Sequence, residues 1–319
     1  MDSPKTNAPQ PRPLPLPVTV PDWAQARVVN GTAVDAAFAA GSALASLDRF
    51  AKADLAWGGC WRKRLALRSA VAALRLSGRN VEEATLRDAL LLHGESDDPG
   101  PTGHVLLGFR KLTRRVTHPG TALLTDLAAG FGLREGRGFS EIADLADDLL
   151  QRQRAVPVLI AALVREVLAL RPDAEVLAWW LADWLLAEKL RWTRPVPLLM
   201  AERFGPAFRT AGGRGRLQPQ DADFERAVAL ALVSASAEAC RLGNDLMRRS
   251  EHLLAVAPRL RSKGADAVVH RLLEEESLLA TAPGPALSRW ASSRLFERLQ
   301  ALDAVRELSG RSTFRIYGL

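Results

Sequence analysis

The chain has 319 residues, 43 Lys and Arg against 36 Asp and Glu, and a formal net charge of +7. A hydrophobic content of 48% supports a real core, and the length allows two domains or one large body with a small module. The positive balance favours acidic partners such as nucleic acid, while the dominance of Ala, Leu and Arg is also what a GC-rich bacterial genome produces by itself. Cys60 and Cys240 lie far apart in no C-x-x-C context, so reduced structural thiols are expected. No uncharged apolar run approaches ~18 residues, so no transmembrane helix is expected. The N-terminus lacks the apolar core of a signal peptide, and a cytoplasmic protein with no membrane partner follows.

Residues 1–21 hold seven prolines and read as a disordered or extended arm, free or strapped onto the body. An all-α body is expected over 22–204. Thr32 and Asp35 open a helix to about Asp54, with Ala36, Ala39, Ala40, Ala43 and Leu47 as a close-packing face and Gly41 serving the same end. A second helix, Cys60 to Leu76, carries Arg62, Lys63, Arg64, Arg68 and Arg75 with no acid between them. That face suits phosphate, solvent, or acids elsewhere in the chain. A third helix ends near His93. The loop that follows gathers His93, Asp97 and Asp98 without regular metal-ligand spacing, so an Asx-type turn is favoured over a hydrolase or metal centre.

Ser140 caps the helix of residues 141–154, and Pro157 starts an almost wholly apolar, central one. The next helix carries Trp179, Trp180, Trp184 and Trp192. Trp180 and Trp184, one turn apart, mark a core or an inter-helix interface. Asp183 between them needs a partner if buried, and Arg191 and Arg194 are the candidates. Residues 205–220 read as a basic, Gly-rich, mobile linker loop. Its Gly212-Gly213-Arg214-Gly215-Arg216 is not a Walker loop, because no Lys-Ser/Thr follows. A long helix over 221–263 completes the body, with a possible break at Gly243-Asn244 and a hinge at Arg261 to Gly264.

Residues 264–319 read as a winged helix-turn-helix. Asp266 to Glu276 is a helix, Leu278 to Ala282 a short helical piece, and Ser288 caps a third helix with Ala291, Leu295, Leu299 and Leu302 on one face. Gly310 sits in the turn of a β-hairpin whose second strand is Thr313 to Tyr317. In that design the third helix enters the major groove and the wing touches the backbone. Arg289, Ser292, Ser293 and Arg298 would then face the groove, and Arg311 and Arg315 the phosphates. From Arg289 onward six Arg meet three acids, a modest excess for a DNA reader.

The segments Arg87 to Leu107, Trp180 to Leu199 and Arg294 to Leu319, with Asp35 to Asp48, resemble the family known as domain of unknown function 1403, a set of uncharacterised alphaproteobacterial, largely rhizobial, proteins. The resemblance spans about residues 20–319. The Trp-bearing helix and the C-terminal ending are also similar to a related rhizobial family with a C-terminal helix-turn-helix, which implies DNA binding by analogy. The resemblance supplies no catalytic residue and no cofactor, and the chain holds no Gly-x-Ser-x-Gly or His-Glu-x-x-His. The expected class is therefore mainly α, a multi-helix orthogonal bundle with a small C-terminal winged helix-turn-helix. The expected role is non-enzymatic binding of double-stranded DNA, in transcription or replicon maintenance. The alternative is an interaction scaffold that self-associates or docks a protein through the terminal module or the Trp180/Trp184 helix.

Overall fold

A computed structural model describes residues 17–26, 31–92, 97–116, 118–134, 136–210, 212–260, 264–281 and 287–319. His93, the hinge residues Arg261 to Lys263 and the arm's first sixteen residues lie outside them. Within the described residues the chain runs through α1 (Ala33–Ala51), α2 (Gly58–Leu76), α3 (Glu83–Leu92), α4 (Gly100–Leu112), α5 (Thr121–Gly130), α6 (Phe139–Gln151), α7 (Val156–Leu170), α8 (Glu175–Leu190), α9 (Leu199–Glu202), α10 (Phe224–Val256), α11 (Ala265–Glu274), β1 (Leu278–Leu279), α12 (Arg289–Ala301), β2 (Arg306–Glu307) and β3 (Ile316–Gly318). The fold is mainly α with one small antiparallel sheet. None of the described helices is long and apolar enough to cross a membrane.

The body is organised around α8. Every side chain from Leu177 to Ala187 is buried, so this helix has no solvent face. Its tryptophans bring polar N–H groups inside, and each finds an acceptor. Trp180 donates to the Gly108 carbonyl at 3.0 Å and Trp184 to that of Val116 at 3.1 Å. Both rings are fully buried, so they belong to the core and offer no docking surface, which corrects the expected scaffold role for this helix.

Asp183 is also fully buried, and its partners are not Arg191 or Arg194. The main-chain amides of Leu198 and Leu199, at the start of α9, donate to its carboxylate at 2.9 and 3.1 Å. A carboxylate placed there satisfies amides that a helix N-terminus leaves orphaned. Burial pushes the acid up to about 8, against the opposing pull of the two amides.

The longest helix, α10, runs unbroken through Gly243 and Asn244. Gly243 is required because an added Cβ would lie 2.6 Å from the Phe50 ring of α1, and α1 packs along α10 with Ala36, Ala39, Ala40, Ala43 and Leu47 buried. Gly41, by contrast, faces open space and plays no part in that contact. Thr32 and Asp35 form a reciprocal capping box at the start of α1. Asn244 clamps the extended segment before α1. Its side-chain oxygen accepts from the Val18 amide at 2.9 Å, and its amide donates to the Val18 carbonyl at 2.8 Å. Val18 and Val20 of this strap are themselves buried in the core.

The basic face of α2 is engaged internally. Arg62 donates to the carbonyls of Ala51 and Gly58, Lys63 pairs with Glu275 at 2.8 Å, Arg64 donates to the main-chain oxygen of Leu319 at 2.6 Å, and Arg68 pairs with Glu238. Burial pushes the thiols of Cys60 and Cys240 up to about 11 and about 12, so both are inert neutral groups at ordinary pH.

Because Asp183 binds its proton more tightly in the folded than in the unfolded chain, its contribution is fully present below pH ~4 and is lost as pH rises toward 8. Asp183→Asn is expected to flatten that decline in urea-denaturation midpoints measured from pH 4 to 8. Asp183→Ala leaves two buried amides unpaired and is expected to cost about 3 kcal/mol.

Candidate nucleic-acid interface

The terminal module is built on three strands in the order β1-β3-β2. Leu278 and Leu279 pair with Tyr317 and Ile316, and Arg306 and Glu307 with Gly318 and Tyr317. Leu278–Leu279 is thus an edge strand, correcting the expected helical piece at Leu278 to Ala282. Among the described residues one helix, α12, lies between β1 and β2. Leu278 is almost fully buried and pairs across the sheet, so tertiary pairing overrides a short apolar run that periodicity cannot assign.

The sheet carries α12. Ser288 caps this helix by accepting from the Ala291 amide at 3.3 Å. Ser292, Leu295, Phe296 and Leu299 form its buried side. Phe296 stacks on Tyr317 with ring centroids 4.9 Å apart, and the Tyr317 hydroxyl donates to Gln300 at 3.3 Å. At about 100° per residue, the remaining positions sweep half the helix circumference. Arg289 stands on one shoulder, Arg298 on the other, and Ser293, Glu297, Trp290 and Arg294 lie between. Trp290 is 79% exposed.

Each shoulder borders a cleft. One of about 870 Å³ lies against the end of α10 and is lined by Arg259, Leu260, Arg294 and Arg298. The other, of about 390 Å³, lies against the hairpin and is lined by Arg289, Ser293, Glu297, Phe314 and Arg315. The Tyr317 phenol beside Arg315 raises the affinity of that guanidinium for its proton. The hairpin connection is held by Glu307, which accepts from the amides of Ser309 and Gly310, both at 2.8 Å. Burial pushes Glu307 up, but those bonds and the Ser309 hydroxyl outweigh it and hold the carboxyl below the usual range. Gly310 and Phe314 take positive φ, 62° and 53°, at the two bends.

Four expected contacts, Arg289, Ser293, Arg298 and Arg315, therefore border these clefts together. Two do not fit the expectation. Ser292 is fully buried, and its hydroxyl donates to the Ala280 carbonyl beneath the helix. The spacing that set the face was read from apolar residues alone, and a small hydroxyl with a main-chain partner is as much at home inside. Arg311 lies 3.5 Å from the Asp88 carboxylate of α3, which diverts its charge from a ligand. Arg294 and Arg259 escaped the sequence reading. Arg294 is four residues before Arg298 and was legible from helical spacing. Arg259 was not, because it reaches the site from another element.

The module is docked on the body rather than hinged away from it. Arg110 pairs with the buried Glu276 at 2.6 Å, Arg87 donates to the Leu308 carbonyl at 3.1 Å, and His252 donates to that of Leu302 at 2.8 Å. Burial pushes Glu276 upward against the pull of Arg110. These contacts hold the sheet side inward and leave the α12 arc outward. Elsewhere, Asp98 accepts from the Gly100 amide at 3.0 Å in an Asx turn, with His104 3.2 Å away. No group of three or more metal-ligating side chains occurs among the described residues.

The profile of the family described as Protein of unknown function (DUF1403) matches residues 14–319. No curated protein matches the chain.

Ser292→Ala is expected to lower stability by about 1–3 kcal/mol, because the buried Ala280 carbonyl loses its donor. Ser293→Ala, on the outer arc, is expected to change stability by less than about 0.5 kcal/mol. Denaturant midpoints of the two variants check both values.

Proposed function

The chain belongs to this family of proteins of unknown function, DUF1403, and from that premise we propose that it is a DNA-binding protein whose winged-helix-like terminal module presents α12 to the major groove. The observation that carries the reading is the placement of guanidiniums on both shoulders of α12, Arg289 with Arg315 on one side and Arg294, Arg298 and Arg259 on the other. A helix lying in a major groove has a phosphate strand on each side. Cations on both flanks meet both strands, whereas a one-sided patch meets one. The crest between them offers Ser293 and Glu297, whose oxygens suit base-edge donors. The half-circumference is broad enough for a groove, since the helix buries only one narrow side. Transcription or replicon maintenance is the class of role such a non-catalytic reader serves.

A second reading has its own observation. Trp23 and Phe38 stack at 5.5 Å with both rings more than half exposed, beside the exposed Val34. An aromatic surface of this kind on the body favours docking of a protein partner or a second copy. It lies on α1 and the segment before it, so it is separable from the α12 surface by mutation.

Anisotropy titration of a labelled duplex of about 20 base pairs tests the leading reading. Neutralising about five phosphates gives a slope of log K against log salt of roughly −4 to −5. Arg289→Ala/Arg298→Ala is expected to flatten that slope by about two and weaken binding at least tenfold. Trp23→Ala/Phe38→Ala is expected to leave it unchanged. Salt-independent binding, or an α12 variant equal to the parent chain, rejects the DNA reading.

A further inference from the structure

A second set of cations lies far along the chain from α12, where the Gly-rich segment returns to the body. Phe204, just after α9, carries two guanidiniums on its ring. That of Arg75, from the last turn of α2, is 4.4 Å from the ring centroid, and that of Arg216 is 4.1 Å away. The neighbouring Arg203 stacks on Phe208 at 5.3 Å and donates from Nε to the Glu175 carboxylate at 2.5 Å. Arg209 faces Arg216 across an antiparallel bridge, and the Thr210 amide donates to the Gly215 carbonyl at 3.1 Å. The base of the segment is pinned by the buried Phe208, whose carbonyl accepts from the Leu217 amide at 2.8 Å. Among its described residues, the segment expected to be a mobile linker is therefore paired across Arg209 and Arg216 and tied back to the body.

Three features separate this cluster from the other basic surfaces of the chain. First, most of its charge is uncompensated. Arg75, Arg209 and Arg216 form no ion pair among the described residues, and Glu175 is the carboxylate paired with Arg203. Partial burial, then repulsion from Arg203, Arg75 and Arg209, lowers the proton affinity of Arg216, with Glu175 the opposing influence. Second, Arg203 is only 3% exposed, and its Nη1 is buried with no hydrogen-bond partner. A buried guanidinium nitrogen without an acceptor is a costly arrangement that an arriving anion relieves. Third, the charges are close neighbours. Two guanidiniums contact one phenyl ring, and Arg203, Arg75 and Arg209 all repel Arg216, while the phosphates of a duplex string single charges along its axis. Such a cluster suits an anion that carries several charges on adjacent groups, and the planar forks of arginine match phosphate oxygens in pairs.

We propose that Arg75 and Arg216 at Phe204, Arg203 at Phe208, and Arg209 across the bridge from Arg216 form a binding site for a small polyphosphate-bearing ligand. Arg209 and Arg216 approach it from the bridged segment, Arg75 from α2, and Arg203 from the interior. The site is independent of the α12 surface and stands on different residues.

Calorimetric titration of the full chain with sodium pyrophosphate, at constant ionic strength, tests the assignment. The parent protein is expected to bind one equivalent saturably. Arg209→Ala, an exposed position, and Arg216→Ala are each expected to weaken binding at least tenfold. Arg294→Ala/Arg298→Ala is expected to bind pyrophosphate as the parent does, whatever its effect on DNA. Absence of saturable heat from the parent, or an Arg209→Ala variant with parental affinity, overturns the site. Loss of duplex affinity in Arg209→Ala without pyrophosphate binding in the parent assigns the cluster to a nucleic-acid backbone and equally overturns the small-ligand assignment.

Discussion

The stacking of Phe296 on Tyr317 fixes which side of α12 the solvent sees. With the ring pair and Ser292, Leu295 and Leu299 inward, the helix cannot rotate without exposing apolar surface, which costs about 25 cal/mol per Å². The sheet below is anchored in turn by Arg110 on Glu276 and by Arg64 on the Leu319 main chain. Breaking a buried pair such as Arg110–Glu276 strands a charge and costs about 3–5 kcal/mol. The outward arc is thus a consequence of packing, not of any property of the arginines on it.

A count of cations alone would have pointed to the wrong surface. The densest basic run in the sequence is on α2, yet four of its five members reach carbonyls or carboxylates of other segments. They join α2 to α10, to the end of α11 and to the sheet. Only Arg75, at the last turn, is left to the Phe204 cluster. Net charge becomes informative after the internal pairs are removed, and part of what then remains lies on the α12 shoulders and around Phe204.

Much of the architecture was legible because it rests on local rules. The capping box of Thr32 and Asp35, the all-round apolar pattern of α8 and the Ser288 cap all involve residues within one turn of each other. The errors lie where distant segments decide. Asp183 is satisfied by amides of the next element, Leu278 by a strand almost forty residues later, and Gly243-Asn244 by Phe50 and Val18. A glycine beside an asparagine reads locally as a break. Here the glycine admits an aromatic ring and the asparagine binds a strap. The candidate interface shows the same division, since α12's periodicity disclosed its outer arc but not the approach of Arg259 or the diversion of Arg311 to Asp88.

Hydrogen exchange of the full chain with and without a saturating duplex addresses the proposed interface most directly. The account predicts added protection in residues 289–301 and 312–315, with the amides of α8 unchanged. Protection confined to other elements, with 289–301 exchanging as in the free protein, would contradict it.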